Sequence, residues 1–394
     1  MQFDLAAWGA ELTPERPAVW SNGRWLTYRD LNERANGLAN QLASLGIGFG
    51  DRVGLLAGNH LAHFDLMFAA AKIGFIHVPF DPQWPAARLG AVARTIGASL
   101  VISDLRHETL AAQAFSCPRV DLEEYREWLG YSSRRRPGPV ELSPESIQSI
   151  LFTRGPASDE PHAVLIPYRQ ALANARVTAM TWGLGPEDCA LQVLPCAEAS
   201  IHLLAMPLLA VGGRVVLPAR FEAEEYLHAT ERLGVTAWAL DAPAYAELAD
   251  HAEFADCPLQ AVRHAFSLGT SCSQPLRQRY LRRGVTIKAA YVRAECGPNV
   301  FALSDDDRPV AQRSVGLPMS HVDAQIRRAD GRLCGPGEPG ELSLAGEGLC
   351  AGYYDSAEAW HRVCRKGRFH PGERAEYDAA GFFHLLGTPE PPES

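Results

Sequence analysis

The sequence has 394 residues, which is enough to bury a substantial core and to form two or three structural units. Apolar residues make up 47% of the chain and charged residues 21%, as in ordinary globular proteins. The net charge of −9 argues against nucleic acid as a partner, because binding to a phosphate backbone needs a basic surface.

The N-terminus lacks the basic and apolar pattern of a secretory signal, and no stretch is apolar enough to suggest a membrane span. The nine cysteines are scattered and include no C-x-x-C pair. Such a set predicts reduced thiols and not a disulfide framework or a zinc site. These features together predict a cytoplasmic protein.

The first third of the chain alternates helical and strand patterns. Thr27 and Asp30 have the spacing of a capping box, and apolar residues follow them at helical intervals. Residues 51–56 and 75–79 have the composition of buried strands, with an apolar helix between them. This alternation is typical of a parallel sheet covered by helices, so we predict an α/β fold with a first lobe over residues 1–149.

A segment rich in proline, glycine, serine and arginine, residues 134–149, has the composition of a linker. Helices and strands alternate again after it, which predicts a second α/β lobe over residues 150–310. From residue 311 onward glycine and proline are frequent and the strand-like runs are short. This texture predicts a small β-barrel-like subdomain over residues 311–388, followed by a tail at 389–394.

Four segments are distinctive in their order along the chain. They are residues 26–31 (LTYRDL), 78–82 (VPFDP), 314–318 (SVGLP) and 337–342 (GEPGEL). Together they resemble the N-terminal domain of the adenylate-forming enzymes, which include acyl-CoA synthetases and amino-acid adenylation domains. Residues 297–303 (GPNVFAL), followed by 315–318, are most similar to fatty-acid–CoA ligases. The resemblance covers about residues 20–387 and implies the two-lobed fold of that domain.

In that superfamily a carboxylic acid attacks the α-phosphate of ATP, and a thiol or amine then displaces AMP from the acyl-adenylate. The resemblance therefore implies ATP, Mg²⁺ and CoA as cofactors, and a carboxylic acid or acyl compound as the substrate. The chemistry needs backbone amides and a cation at the phosphates, and an acidic residue at the magnesium. It also needs polar groups at the adenine and the ribose.

Residues 153–162 (TRGPASDEPH) stand where the superfamily has T-S-G-T-T-G-x-P-K-G. The resemblance assigns Thr153, Arg154 and Gly155 to nucleotide binding. It makes His162, which stands where this loop is expected to have a lysine, a catalytic residue. Proline in this loop cannot donate an N–H group, and a neutral histidine carries no full charge. These substitutions predict impaired ATP binding, and Arg154 is either a phosphate clamp or a solvated loop arginine.

Residues 291–295 (YVRAE) are similar to the motif Y-G-x-T-E. The resemblance implies that Tyr291 stacks on adenine and that Glu295 acts in catalysis and binds Mg²⁺. Val292 replaces a glycine and narrows the substrate pocket, and Ala294 lacks the threonine hydroxyl. The alternative for Glu295 is a simple ion pair with a nearby arginine.

Residues 267–270 (SLGT) resemble the loop S-G-G-A, which lies along the adenine and the acyl pocket. This resemblance assigns Ser267, Gly269 and Thr270 to the nucleotide. It places Leu268, which is bulkier than the usual glycine, beside the substrate.

Two further motifs complete the predicted site. Residues 194–200 (LPCAEAS) resemble L-P-L-F-H-T-G and make Glu198 and Ser200 substrate residues. Glu198 either favours a cationic substrate or is a carboxylate at the start of a helix. Residues 369–374 (FHPGER) resemble W-x-x-T-G-D, so Glu373 takes the place of the aspartate that holds the ribose hydroxyls.

The superfamily's hinge motif G-R-x-D is replaced near the end of the sequence, where Thr388 follows Gly387. We therefore expect the mobile C-terminal domain to be absent, together with the lysine that promotes adenylation. A separate C-terminal-domain protein or a carrier protein is then an expected partner. Many members of the superfamily are dimers, which makes a homodimer a further expectation.

Three functional hypotheses follow. The first is a truncated acyl-CoA-synthetase-like ligase with impaired ATP-dependent acyl activation. The second is a pseudoenzyme that binds an acyl or nucleotide ligand, or a partner protein, without turnover. The third is a protein that carries out ATP-independent acyl chemistry in the retained pocket.

Overall fold

The structure, a computed structural model, describes residues 3–153, 161–268, 272–304 and 314–387. The α-helices in these ranges are α1 (Leu5–Leu12), α2 (Tyr28–Ser44), α3 (Ala62–Ile73), α4 (Ala86–Ile96), α5 (Glu108–Ala114), α6 (Leu122–Tyr131), α7 (Tyr168–Trp182), α8 (Ala205–Ala210), α9 (Ala223–Arg232), α10 (Ala242–Asp250), α11 (Gln274–Leu281) and α12 (Ala357–Val363).

The strands are shorter and more numerous than the helices. They are β1 (Pro17–Ser21), β2 (Arg24–Thr27), β3 (Arg52–Leu56), β4 (Ile76–Phe80), β5 (Leu100–Ser103), β6 (Arg119–Asp121), β7 (Ile147–Thr153), β8 (His162–Pro167), β9 (Cys189–Leu191), β10 (Arg214–Val216), β11 (Ala237–Asp241), β12 (His264–Leu268), β13 (Ile287–Ala289), β14 (Phe301–Ala302), β15 (Leu317–Pro318), β16 (Asp323–Arg327), β17 (Gly340–Ala345), β18 (Gly352–Tyr353), β19 (Cys364–Arg365), β20 (Arg368–Phe369), β21 (Arg374–Tyr377) and β22 (Phe383–Gly387).

Local sequence explains the first long helix. The Thr27 hydroxyl accepts a hydrogen bond from the backbone N–H of Asp30, and the Asp30 carboxylate accepts one from the N–H of Thr27 at 2.8 Å. This is the predicted capping box, which satisfies two backbone donors that helix formation leaves without partners. The apolar residues of α2 that recur at helical spacing, Leu31, Ala35 and Leu38 among them, are fully buried.

Two large sheets form the body of the molecule, and both are mainly parallel. Sheet I has the strand order β18–β8–β7–β4–β3–β5–β6, and sheet II has the order β13–β12–β11–β9–β10–β1–β2. Sheet I gains β8 and β18 as antiparallel strands at one edge, and sheet II gains β2 in the same way. The predicted α/β class with two sheet-containing lobes is confirmed.

Each sheet takes strands from both sides of residue 149. Strands β1 and β2 belong to sheet II, whereas β7 and β8 belong to sheet I. Each large sheet therefore combines strands that are distant from one another in the sequence. The division into residues 1–149, 150–310 and 311–388 stays a prediction.

A third sheet carries the last part of the described chain. Sheet III has the order β19–β20–β17–β21–β22, with β16 paired to β17. The predicted barrel-like form needs correction, because the described strands form an open sheet with β19 and β22 at opposite edges. Closing a barrel requires its outermost strands to pair with each other.

Buried polar side chains join sheets I and II. The Asn59 amide donates to the carbonyl oxygen of Val193 at 3.0 Å, and its side-chain oxygen accepts from the N–H of Cys196 at 2.8 Å. His63 and His77 are buried beside this junction with their ring centroids 5.9 Å apart, and His202 of the sheet II side is also buried. Burial lowers the pKa of His63 and of His202 to about 4.

None of the helices in the described part of the chain has the length and apolar character that crossing a bilayer requires. All nine cysteines lie in described ranges, and none is in a disulfide.

We expect mild acid to destabilise the fold through these histidines. In the folded protein burial lowers the pKa of His63 to about 4, whereas in the unfolded chain the ring takes up a proton near pH 6.5. The unfolded state therefore binds more protons below pH 6.5, and the free energy of unfolding should fall by about 2 kcal/mol per such histidine between pH 7.5 and pH 5. Urea titrations at the two pH values measure this loss.

The variant His63→Gln should lose less stability between pH 7.5 and pH 5 than the wild type, because its side chain does not titrate. His361→Gln serves as the matched control, since His361 is exposed. Identical pH dependence in all three proteins would show that His63 does not contribute.

Candidate functional site

A cavity of about 400 Å³ opens at the carboxyl ends of parallel strands from both large sheets. Strand β4 ends beside it and is followed by Asp81, β7 contributes Phe152 and Thr153, and β12 contributes Leu268. The loop after β13 adds residues 292–294. Ligands of open α/β sheets commonly bind at this edge, because loops from several strands converge there.

Several predicted site residues meet at this cavity. Its wall includes Thr153, Glu198, Ser200, Leu268 and Val292, which come from four separate stretches of the sequence. The structure thus brings these five together, while their roles stay predictions. The predicted residues Arg154, Gly155, Gly269 and Thr270 lie outside the described residues.

Glu295 does not form part of the cavity wall, although the preceding residue, Ala294, does. It is fully buried, and its Oε1 atom accepts a hydrogen bond from the Tyr353 hydroxyl at 2.9 Å. Its Oε2 atom has no hydrogen-bond partner among the described residues. Burial raises the pKa of Glu295, although the bond from Tyr353 opposes that rise. The sequence also allowed an ion pair between Glu295 and a nearby arginine, and the contacts of Glu295 with described residues include no such pair.

His162 is the first residue of β8 and pairs in register with Thr153 across the β7–β8 hairpin. Its ring stacks on the Tyr353 ring with centroids 4.5 Å apart, and its Nδ1 atom lies 3.2 Å from a carboxylate oxygen of Asp355. These two contacts hold the imidazole against β18. Pro161 reaches the cavity wall, but His162 does not.

Arg293, at the variable position of the Y-V-R-A-E motif, forms an ion pair with Glu373. The guanidinium carbon also lies 5.9 Å from the ring centroid of Tyr291. Burial lowers the pKa of Arg293, but the neighbouring Tyr291 and Glu373 outweigh that effect and raise it above the ordinary value. Burial holds the pKa of Tyr291 well above its usual range. The predicted adenine and ribose residues therefore lie against one arginine that the motif analysis did not select.

Two carboxylates also contribute to the cavity wall. Glu198 and Asp81 both belong to its wall. Burial raises the pKa of Glu198, and the charge of Asp81 raises it further. Ser200, although on the wall, donates its hydroxyl to the carbonyl oxygen of Pro195 at 2.7 Å, so it stabilises the turn that presents Glu198.

Two residues of the S-L-G-T segment are described, and one lies in the core while the other lies at the cavity. Ser267 is buried in β12, and its carbonyl oxygen accepts a hydrogen bond from the N–H of Ala290 at 2.9 Å. The following residue, Leu268, lies on the cavity wall. Alternation along a strand explains the difference, because successive side chains point to opposite faces.

Sequence reasoning missed the residue that holds the loop after β13. Gln170 of α7 is buried, and its side-chain amide donates to the carbonyl oxygen of Ala294 at 2.8 Å. The available signal was an amide side chain at a helical position that the apolar pattern buries, since a buried amide needs a partner. Asn174, one turn further along α7, is buried in the same way, and its amide donates to the carbonyl oxygen of His202 at 2.7 Å.

The AMP-binding enzyme family model matches residues 6–354 of the chain. A feruloyl-CoA synthase from an Amycolatopsis species is 28% identical over 385 residues, which cover 96% of this chain and 76% of that protein. An acyl-CoA ligase of Beauveria bassiana (strain ARSEF 2860) is also 28% identical, over 93% of this chain and 69% of its own length.

Among solved structures, the inhibitor-bound N-terminal domain of FACL13 from Mycobacterium tuberculosis has a TM-score of 0.91 to this chain. The two sequences are 22% identical, and the match covers 98% of each chain. At this identity the likeness establishes the fold, which is the predicted N-terminal-domain architecture.

The raised pKa of Glu295 leads to a pH-dependent prediction. Its folded-state pKa lies above the unfolded value, so the ionised carboxylate costs stability as the pH rises through the folded pKa. Glu295→Gln keeps an oxygen for Tyr353 and removes the charge. We expect this variant to be more stable than wild type at pH 8, by the order of 1 kcal/mol, with a smaller difference at pH 4.5.

Thermal unfolding at the two pH values measures the effect. The exposed Glu358→Gln on α12 is the matched control and should change neither melting temperature appreciably. If Glu295→Gln loses stability equally at both pH values, the buried carboxylate does not titrate as described.

Proposed function

The chain belongs to the AMP-binding enzyme family, and we propose that it is an acyl-CoA-ligase-type protein that binds a carboxylic acid but activates it poorly with ATP. The observation that carries this proposal is the placement of His162 and Glu295. The two groups that the family pattern assigns to phosphate and magnesium chemistry both pack against Tyr353, and neither reaches the cavity wall.

The first question is whether Glu295 could bind Mg²⁺. Mg²⁺ prefers several oxygen ligands in octahedral geometry and usually retains some of its water. Glu295 offers a single oxygen without a hydrogen-bond partner among the described residues, and its side chain is fully buried. Glu295 by itself therefore does not fit the ion as it stands.

The binding of the ATP phosphates is also poorly supported among the described residues. Acyl activation requires preorganised donors and cations where charge develops, and removing one such donor costs about 10²–10³ in rate. His162 is a histidine where the family has lysine, and Asp355 and Tyr353 already engage its ring. Slow or absent adenylation by this chain follows from that arrangement.

The cavity wall supports binding of an acid with an apolar or aromatic body. Trp84 and Phe152 meet edge to face with centroids 5.3 Å apart, and Leu268 and Val292 add apolar surface. Arg293 supplies a positive charge at the same wall. The feruloyl-CoA synthase among the relatives supports an aromatic acid as the substrate class.

A non-catalytic binding protein is the second candidate. The observation that favours it is the ion pair between Arg293 and Glu373, because a carboxylate that is already paired is a poorer acceptor for ribose hydroxyls. Under this alternative the acid binds and no adenylate forms.

CoA and a second protein remain part of the proposal. The chain spans 76% of the feruloyl-CoA synthase relative. We propose CoA as the acceptor of the acyl group, and a C-terminal-domain protein or a carrier protein as a partner in that step.

Calorimetry with Mg-ATP tests the proposal directly. We expect little heat and little rise in melting temperature at millimolar nucleotide, and pyrophosphate release with aromatic acids at a rate far below that of an ordinary enzyme. Turnover within the usual enzymatic range of about 1–10³ s⁻¹ would show instead that the site is a competent ligase.

Restoring the family's cation separates a damaged phosphate site from a diverged cavity. His162→Lys should raise acyl-adenylate formation at least tenfold if only this charge is missing, which corresponds to about 1.4 kcal/mol of transition-state stabilisation. His361→Lys adds the same charge at an exposed position and should leave the rate unchanged. No gain in either variant would support the non-catalytic alternative.

A further inference from the structure

We propose that Arg293 binds the oxyanion of the ligand in the cavity and that Glu373 is the positioning residue that orients its guanidinium group. The inference rests on the proposed function only in taking the cavity as the ligand site. It names a specificity-determining residue that the family pattern leaves variable.

The geometry of Arg293 suits this role. Its neighbours Val292 and Ala294 also lie on the wall, and 30% of its own side chain is exposed. The Nη2 atom contacts Glu373, while the face of Tyr291 packs against the guanidinium carbon. A carboxylate and an aromatic ring therefore fix the orientation of the group while it remains accessible from the cavity.

Glu373 is placed to act through Arg293 and not on the ligand. Its side chain is only 13% exposed, and the residue is absent from the cavity wall. Its backbone carbonyl accepts a hydrogen bond from the N–H of Leu342 at 2.9 Å, which ties it to sheet III. The contact with Arg293 is through Oε1, and Oε2 has no hydrogen-bond partner among the described residues.

The N–H donors of Arg293 that do not contact Glu373 indicate what kind of ligand the residue would bind. An arginine side chain has five N–H donors in a planar fork that matches a carboxylate or a phosphate. The contact with Glu373 uses only the Nη2 end of that fork. An oxyanion in the cavity can accept from the others, and Glu373 offsets the cost of burying the cation.

The other charges of the cavity make the ligand's orientation specific. Asp81 and Glu198 repel an anion from their part of the wall. Arg88 is the second cation on the wall, and its guanidinium carbon lies 5.8 Å from the ring centroid of Trp84. Arg88 is therefore the competing candidate for the oxyanion, and the experiment must separate the two arginines.

The test compares each anionic probe with its uncharged counterpart by calorimetry. Cinnamate is paired with methyl cinnamate, and AMP is paired with adenosine. In the wild type we expect the anion of at least one pair to bind about ten- to a hundredfold more tightly than the neutral probe. Arg293→Met should abolish that preference, and Arg293→Lys, which keeps the charge without the fork, should retain part of it.

Glu373→Gln tests positioning. It should reduce the preference for the anion while leaving the affinity for the neutral probe unchanged, a selective effect that general loss of structure does not produce. Arg365→Met is the matched control, because Arg365 forms an exposed ion pair with Glu341 in the same sheet. This control should keep the wild-type preference.

The two probe pairs identify the source of the oxyanion. If Arg293→Met loses the preference for the anion only in the cinnamate pair, Arg293 binds the substrate carboxylate. If the variant loses that preference only in the AMP pair, Arg293 binds a phosphate. The proposal is overturned if neither pair shows a preference in the wild type, if Arg293→Met retains the preference, or if only Arg88→Met removes it. These outcomes do not depend on turnover, so they are distinguishable from failure of the proposed function.

Discussion

Burial of the Glu295 carboxylate sets a requirement that the surrounding structure has to meet. A buried carboxyl group is costly unless it has a hydrogen-bond partner, and Tyr353 provides one. Tyr353 lies on β18, which pairs with β8 at the edge of sheet I, and the N–H of Cys350 donates to the backbone carbonyl of Glu295 at 2.8 Å. The same tyrosine ring is the surface on which His162 stacks. One buried acid thereby links the loop after β13 to sheet I and fixes the histidine.

The same contacts engage the polar groups of the candidate site within a chain that has the fold of the AMP-binding enzymes. Glu295, His162 and Glu373 keep their places in the order of motifs, but each has a partner from within the protein. A side chain that already has a satisfied partner gains less from a ligand, since binding must first replace that contact. The chemistry of the site therefore depends on which groups remain accessible from the cavity, and Arg293 is one of them.

The fold was accessible from the sequence because its signals are local. The capping box of Thr27 and Asp30, the apolar helix over α3 and the flanking strands β3 and β4 all lie where periodicity and capping chemistry predict them. The sequence did not predict that each large sheet would contain strands from both sides of residue 149. Parallel strands pair with neighbours distant in sequence, and periodicity alone contains no information about which strand lies beside which.

The sequence by itself determined the α/β class, the family and the stretches of chain that would surround the site, because each depends on composition, spacing or the order of motifs. Only the tertiary structure decided which side of each motif faces the cavity. Val292 and Leu268 face it, whereas Glu295 and Ser267 are buried behind it. The tertiary structure also decided that Arg293 pairs with Glu373, which lies 80 positions away in the sequence. Such contacts follow from the packing of three sheets against one another, and no local pattern records them.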